Sequence, residues 1–479
     1  MRARIAAHIF AQENRRWWTL LAVSFGLFMI MLDNTVVNVA LPAIQESLDA
    51  DQSELEWVVV SYALTFATFM LTGGKLADYF GRRRLFIVGL AIFTLASLAC
   101  GLAPNADFLI AARTVQGLGA AIMNPATLGI ITATFPPRQR GMAIGIWAGV
   151  SAMALAIGPL IGGLITDHID WSWIFFVNVP VGVLGIVVAR WAIDESRDTS
   201  HEQRLDFPGL VTSAVGLFAL TYGLIEANSY GWTSPRILAL FAVAGLSLMA
   251  FVLLERHQRV PMLDLTLFRS STFTGANLAM LLVALAMFGI FFFNSLFLQN
   301  ILRYSATETG AIFLPMTVLI ILIAPVAGRV SDQVGSRWLI GAGMTLVSLS
   351  LLLFAQLEAD STFWDVLPGL LVGGLGMALS MTPTTAAAMG SVPVDKAGVG
   401  SAVLNSSRQV GGSLGIAVMG ALVASQIDAT APPRVRVEQF IDGYHLGLYV
   451  AAAIAMLGAV VAVATVRKHR HVELAEVAA

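Results

Sequence analysis

Apolar runs of about 20 residues recur along this 479-residue chain, each long enough to cross a ~30 Å hydrocarbon layer as a helix. A backbone inside such a layer has no water to bond and must satisfy its own polar groups, so successive runs of this length fold as spanning helices. Composition excludes a soluble multidomain protein: 57% of residues are hydrophobic and 12% charged, against about 25% charged in ordinary globular chains. The single cysteine, Cys100, lies inside a run, which excludes a disulfide framework and a cysteine-based metal site. The run after Met1–Arg16 continues to Leu41, too far for a signal peptide, and reads as a retained first span.

We place fourteen spans at 17–41, 57–76, 85–103, 108–134, 141–165, 173–193, 207–226, 236–254, 273–298, 309–328, 338–357, 363–388, 399–424 and 444–466. With the N-terminus in the cytoplasm, 22 of the 28 Lys and Arg fall in or beside cytoplasmic segments. Only Arg236, Arg303, Arg434 and Arg436 fall outside. That bias sets the orientation, with both termini cytoplasmic in a plasma (inner) membrane. The longest outer loop, Ser425 to Gly443, contains Pro432 and Pro433 and reads as a surface connector.

The chain is also duplicated. Gly74, Asp78, Gly81 and Arg83 between spans 2 and 3 return as Gly328, Asp332, Gly335 and Arg337 between spans 10 and 11, an offset of 254. Gly117-Leu118-Gly119 returns as Gly374-Leu375-Gly376, an offset of 257. A repeat at this distance means two copies of one large unit. Residues 1–200 then form a six-helix bundle, 201–260 an inserted pair (spans 7 and 8), and 261–479 a second six-helix bundle with a cytoplasmic tail. Parallel repeats of this kind are a transporter architecture, with the substrate path between the halves.

Polar residues inside spans mark candidate sites, because an ionisable group at a helix centre costs about 2.5–3.5 kcal/mol on insertion scales. Asp33, Asn34 and Asn38 lie within one arc of span 1, and Asp33 reads as the one acid well inside a span. Arg113, Gln116, Gly117, Ala120 and Asn124 form a stripe on span 4. Counted from the outer span ends, Arg113 lies about 8 Å deep and Asp33 about 12 Å, so the two are candidates for a proton-coupling pair. Span 5 carries Gly158, Pro159, Gly162 and Gly163, a bend among small residues that permits close helix contact. In span 9, Met287, Phe291 and Asn294 share a face. A flexible apolar surface suits varied ligands, although packing explains it as well. Arg408 is a cation inside span 13. The loop residues Gly74, Asp78, Gly81, Arg82 and Arg83, with Asp332 and Gly335 in the second copy, are candidates for a conformational latch.

These motifs resemble the major facilitator superfamily, and within it the fourteen-span drug:proton antiporter branch (EmrB/QacA-type). The resemblance covers essentially the whole chain: Leu32–Pro42, Gly74–Phe86, Arg113–Ala121, Gly158–Gly163, Trp171–Pro180 and Asn405–Gly411 all match. Ala154 stands where Gly is common, and Ser172 where Arg is usual. Spans 10 and 13 lack the extra acids that some relatives use for multivalent cations. The resemblance implies an all-α membrane protein of major facilitator fold, with two inserted central helices. It implies export of small, largely hydrophobic compounds by alternating access, driven by a proton gradient, with no enzymatic activity and no cofactor or metal. Asp33 would carry the proton, Arg113 would tune it, and Asn34, Asn38, Gln116, Asn124, Met287, Phe291, Asn294 and Arg408 would line the path. Expected partners are substrate, protons and membrane lipid, not nucleic acid; a periplasmic adaptor is left open and not indicated. A dedicated exporter of one siderophore, peptide or self-made antibiotic is the alternative reading, and a non-transporting membrane sensor a more distant one.

Overall fold

A computed structural model describes residues 15–197, 206–258, 261, 263–392, 397–428 and 430–467. The expected boundaries of the inserted pair, and both termini, lie at or within segments outside these residues. In chain order the helices are α1 Arg15–Leu48, α2 Gln52–Phe80, α3 Arg82–Gly101, α4 Ala106–Thr134, α5 Pro137–His168, α6 Trp173–Phe176, α7 Asn178–Ala192, α8 Phe207–Tyr230 and α9 Pro235–His257. They continue with α10 Ser271–Leu296, α11 Ala306–Ile312, α12 Leu314–Val334, α13 Ser336–Phe354, α14 Phe363–Gly390, α15 Ala397–Ala424 and α16 Pro433–Thr465. Among the described residues there is no strand. Among the described residues, eleven helices are long and apolar enough to cross a membrane, and α2 makes a twelfth if its two segments are one span. α5 and α15 are further long helices.

Local chemistry sets the ends. Asp51 and Glu54 form a capping box that starts α2 at Gln52, five residues before the expected span, by satisfying donors that the first turn leaves open. Pro433 begins α16 ten residues ahead of Gly443. The expected connector is thus partly helical, because proline is tolerated in a first turn, where its missing N–H costs nothing. The two repeated loops turn at Gly81 (φ 113°) and Gly335 (φ 99°), a backbone region that side chains avoid.

By contact, α1–α7 form one group and α10–α16 another; α8 and α9 pair with each other and α8 lies against α2 and α15. The duplication is visible in the packing. α3 crosses α4 where Gly89 and Gly119 face each other, and a Cβ on either would sit 2.8–2.9 Å from the other's carbonyl oxygen. α13 crosses α14 the same way at Gly343 and Gly376, with 2.8 Å in both directions. These four glycines are related by the 254 and 257 offsets, so each half closes on the same backbone-to-backbone crossing.

Candidate functional site

Arg113 and Asp33 meet in the interior of the first group. The Arg113 Nη1 donates to Asp33 Oδ2 in a buried ion pair, the side chains being 1% and 0% exposed. Position on α4 follows from its start: the Asn105 side-chain Oδ1 caps the helix by accepting from Phe108 N at 2.9 Å, which sets Arg113 two turns in. Gln116, one turn further, completes the pair. Its Nε2 donates to Asp33 Oδ1 at 2.9 Å and to Ser97 Oγ on α3 at 2.8 Å, and its Oε1 accepts from Arg113 Nη1 at 2.7 Å. Arg113 Nε donates to the Val58 carbonyl at 3.0 Å, and the guanidinium lies over the Tyr62 ring at 4.3 Å and near the Phe175 ring at 5.7 Å. A buried ion pair is tolerable only when its remaining polar atoms are satisfied, and here four neighbouring helices supply the partners. Tyr62 Oη, at the edge of this network, is buried with no hydrogen-bond partner among the described residues.

The turn of α1 around Asp33 bears directly on α5. Gly158 lies against Thr35, and a Cβ on Gly162 would stand 2.8 Å from the Val36 carbonyl oxygen. One residue on, Gly163 abuts the Ala306 backbone, and Gly310 abuts Pro159, so α5 of the first group is pressed onto α11 of the second. Asp167 fixes that junction: its carboxylate accepts from Ala306 N at 3.1 Å and Thr307 N at 2.6 Å. At the same end Gln299 Nε2 donates to the Val39 carbonyl at 2.9 Å, and α2 meets α15. The two groups are therefore joined at the Asp51–Asp167 end of the molecule.

The sequence matches the Major Facilitator Superfamily over residues 23–416 and 276–478. The chain belongs to that superfamily. It is 38% identical over 416 residues to the multidrug resistance protein Stp of Mycobacterium tuberculosis, covering 87% of this chain and 77% of that protein. It is 39% identical over 427 residues to the tetracenomycin C resistance and export protein of Streptomyces glaucescens, covering 88% and 78%. With the puromycin resistance protein of Streptomyces alboniger it shares 36% over 460 residues, covering 94% and 91%. A bacterial homologue of the lysosomal transporter Spinster, solved in an inward-facing conformation, superposes with a TM-score of 0.68 at 17% identity over 95% of this chain and 97% of that one, a likeness of fold alone. As a superfamily member the chain is a multi-pass membrane transporter and not an enzyme.

Asp78, Arg82 and Arg83 of the superfamily loop are tied within their own half, while Lys75 Nζ donates to the Pro261 carbonyl. Arg82 Nε donates to Asp78 Oδ1 at 2.9 Å and its Nη1 reaches the Gly129 carbonyl at 3.4 Å. Glu195, beyond α7, accepts from Arg83 N at 3.1 Å and stands near Arg83 and Arg84. In the second copy Gly335 turns the chain, Ser331 and Ser336 share a hydroxyl contact of 2.7 Å, and the Asp332 side chain lies outside the described residues. Gly74 lies against Pro125.

The other path candidates scatter. Asn34 and Asn38 bond back to the Ile30 and Asn34 carbonyls of their own helix. Asn124 Nδ2 faces Met70 Sδ at 3.8 Å. Met287 is buried, Phe291 packs on Phe313 at 5.5 Å, and Asn294 accepts from the Tyr444 hydroxyl. Arg408 has a buried Nε with no partner among the described residues. One acid was missed. Glu56, in the second turn of α2 and just ahead of the expected span, is 2% exposed, an enclosed acid that the span reading did not single out. The capping pattern Asp51-x-x-Glu54 was the signal that moves the helix start ahead of it.

Proposed function

We propose that this chain is a proton-coupled exporter of small, largely hydrophobic drug-like compounds, with fourteen spans and two inserted central helices. It sits in the inner membrane with cytoplasmic termini and works by alternating access. The relatives named for multidrug, tetracenomycin C and puromycin resistance support export. The observation that carries proton coupling is the buried Asp33–Arg113 pair beside the α5 glycines. With the Lys- and Arg-rich loops in the cytoplasm, the joined end is external and the described arrangement is closed outward.

The chemistry follows from the pair. A proton on Asp33 removes its charge and leaves Arg113 a buried cation; breaking a buried pair costs about 3–5 kcal/mol. An inward-moving proton supplies about 2.3 kcal/mol per 100 mV, so one proton at roughly 150 mV offers about 3.5 kcal/mol, the same scale. Arg113 already has the Val58 carbonyl, Gln116 Oε1 and the Tyr62 ring as alternative partners. Movement of the α1 turn is passed to Gly158 and Gly162, and through Gly163 to the other half. Substrate and proton then exchange across the same closure.

Asp33→Asn keeps shape and cannot titrate. It is expected to insert normally, bind neutral substrate, and lose at least tenfold of the export driven by an imposed pH gradient in inverted vesicles. Asp33→Glu keeps part of it. Full pH-driven export by Asp33→Asn ends the assignment. A dedicated exporter is the second reading, favoured by the two relatives whose names carry a single antibiotic. A drug-susceptibility panel on cells with and without the protein separates the two: one protected compound selects the second.

A further inference from the structure

Glu56 has no place in the Asp33 network, yet it is more deeply enclosed than any surface acid. It lies one turn into α2, 2% exposed, at the junction of three elements. α8 contributes Glu226, whose carboxylate accepts from Ser53 Oγ at 2.7 Å, and Asn228, which donates to the Ala421 carbonyl. α15 contributes Gly420, set so close that a Cβ there would collide with the carboxyl carbon and both oxygens of Glu56. Only a glycine allows a carboxyl to be pressed onto the opposite half in this way.

No cation answers this carboxyl. Among the described residues no Lys, Arg or His forms an ion pair with it. Its one described hydrogen bond comes from Gln52 Nε2 at 3.3 Å, beyond the usual range for such bonds. The charged groups facing it among the described residues are acids, Glu226 from α8 and Asp51 from the start of its own helix, and the α15 residue set against it is Gly420. The helix dipole favours negative charge within the first turn, and Glu56 lies just past that turn. Enclosing an unpaired carboxylate costs far more than a protein of marginal stability can carry, and such a group takes up a proton instead.

We propose that Glu56 is a second proton-binding site, set in the seam between the halves, which takes a proton from the external solution as the seam closes and returns it as the seam opens. One proton leaves external water for a carboxylate oxygen on closing, and the reverse transfer occurs on opening. The site moves no net charge across the membrane. It makes outward closure depend on external pH, by up to tenfold per pH unit wherever the open-state carboxylate is ionised. The sidedness rests on the proton-coupled reading above; the chemistry at Glu56 does not involve Asp33.

The test is a distance measured between spin labels on Ser47→Cys and Gln426→Cys, both exposed at this end, in the full chain reconstituted in nanodiscs; Cys100 is buried. From pH 8 to pH 5 the short-distance population is expected to rise by tenfold or more with native Glu56. With Glu56→Gln it is expected to stay high at every pH. Asp33→Asn is expected to keep the Glu56-dependent shift, and if that variant also exports fully, the coupling role of Asp33 fails while the seam site stands. A pH-dependent shift that survives Glu56→Gln, or none in the unmodified chain, overturns the proposal. Gly420→Ala gives an independent check, because it presses on the carboxyl and is expected to give long distances at every pH; short distances there overturn the placement of Glu56.

Discussion

The two halves share one backbone plan and differ in where they keep charge. In the first half, Arg113 and Gln116 on α4 hold Asp33 in a closed polar network. At the 257 offset the second half has Leu370 and Gly373, the first wholly buried and the second facing Ser350. Its interior polar contacts are neutral: Tyr444 donates to Asn294 and stacks on Phe297 at 4.7 Å, and Ser350 Oγ donates to the Gly369 carbonyl at 2.7 Å. Duplication supplied two equivalent bundles, and the buried ion pair sits in one; the other carries Arg408 inside α15 with no ion pair among the described residues.

The largest expected effect tests that asymmetry. Arg113→Met leaves Asp33 enclosed without its partner and is expected to cost about 3–5 kcal/mol of stability. Asp33→Asn combined with Arg113→Met is expected to recover most of it. Asn294→Leu, the nearest neutral equivalent, orphans the Tyr444 hydroxyl and is expected to cost only about 1–2 kcal/mol. Thermal unfolding in detergent at fixed pH reads all three. Equal losses for Arg113→Met and Asn294→Leu would remove the distinction between the halves.

Next comes the junction itself. Gly163→Ala places a methyl group against the Ala306 backbone, and overpacking of this kind costs about 1–3 kcal/mol. The outward-closed population is expected to fall by about 5- to 150-fold, seen as proton leak in substrate-free vesicles. Gly310→Ala, the matching contact from the other side, is expected to do the same. If only one of them leaks, the contact is not shared equally by the halves.

The smallest effect belongs to Asp167. Partial desolvation pushes its carboxyl up, and hydrogen bonds from Thr307, Ser305 and Ala306 outweigh that, leaving it below the usual carboxylate value. A depressed carboxyl keeps its contact above the ordinary value and loses it only as pH falls through the lower one. Between pH 5 and 8, therefore, the Asp167 contact is expected to be constant while the Glu56 seam varies. Asp167→Asn is expected to lower the closed population by less than about tenfold, the scale of a lost helix cap, with no new pH dependence in the spin-label distances.

Much of this was legible in the sequence. The loop glycines at 81 and 335 announced the duplication because their backbone angles admit little else, and Asp33 and Arg113 stood out because charge inside an apolar helix is costly. Their shared depth suggested the pair, which the structure brings into contact. Ser97, Tyr62 and Phe175 were silent, since small polar and aromatic residues are ordinary in such helices and only folding brings three elements together around Arg113 and Gln116. Glu56 was hidden for a different reason. The polar run Asp51-Gln52-Ser53-Glu54 looks like a loop until its reciprocal capping bonds are considered, and its counterpart Gly420 looks like any packing glycine.

The inserted pair has a consequence for how a greasy compound arrives. α8 covers the line where α2 meets α15, one of two slits through which molecules dissolved in the bilayer could pass sideways into the space between the halves. The other slit, where α5 meets α11 and α12, has no such helix laid over it among the described residues. On the proposed export of hydrophobic compounds, the flank left without a covering helix among the described residues is therefore the one on the α5 side.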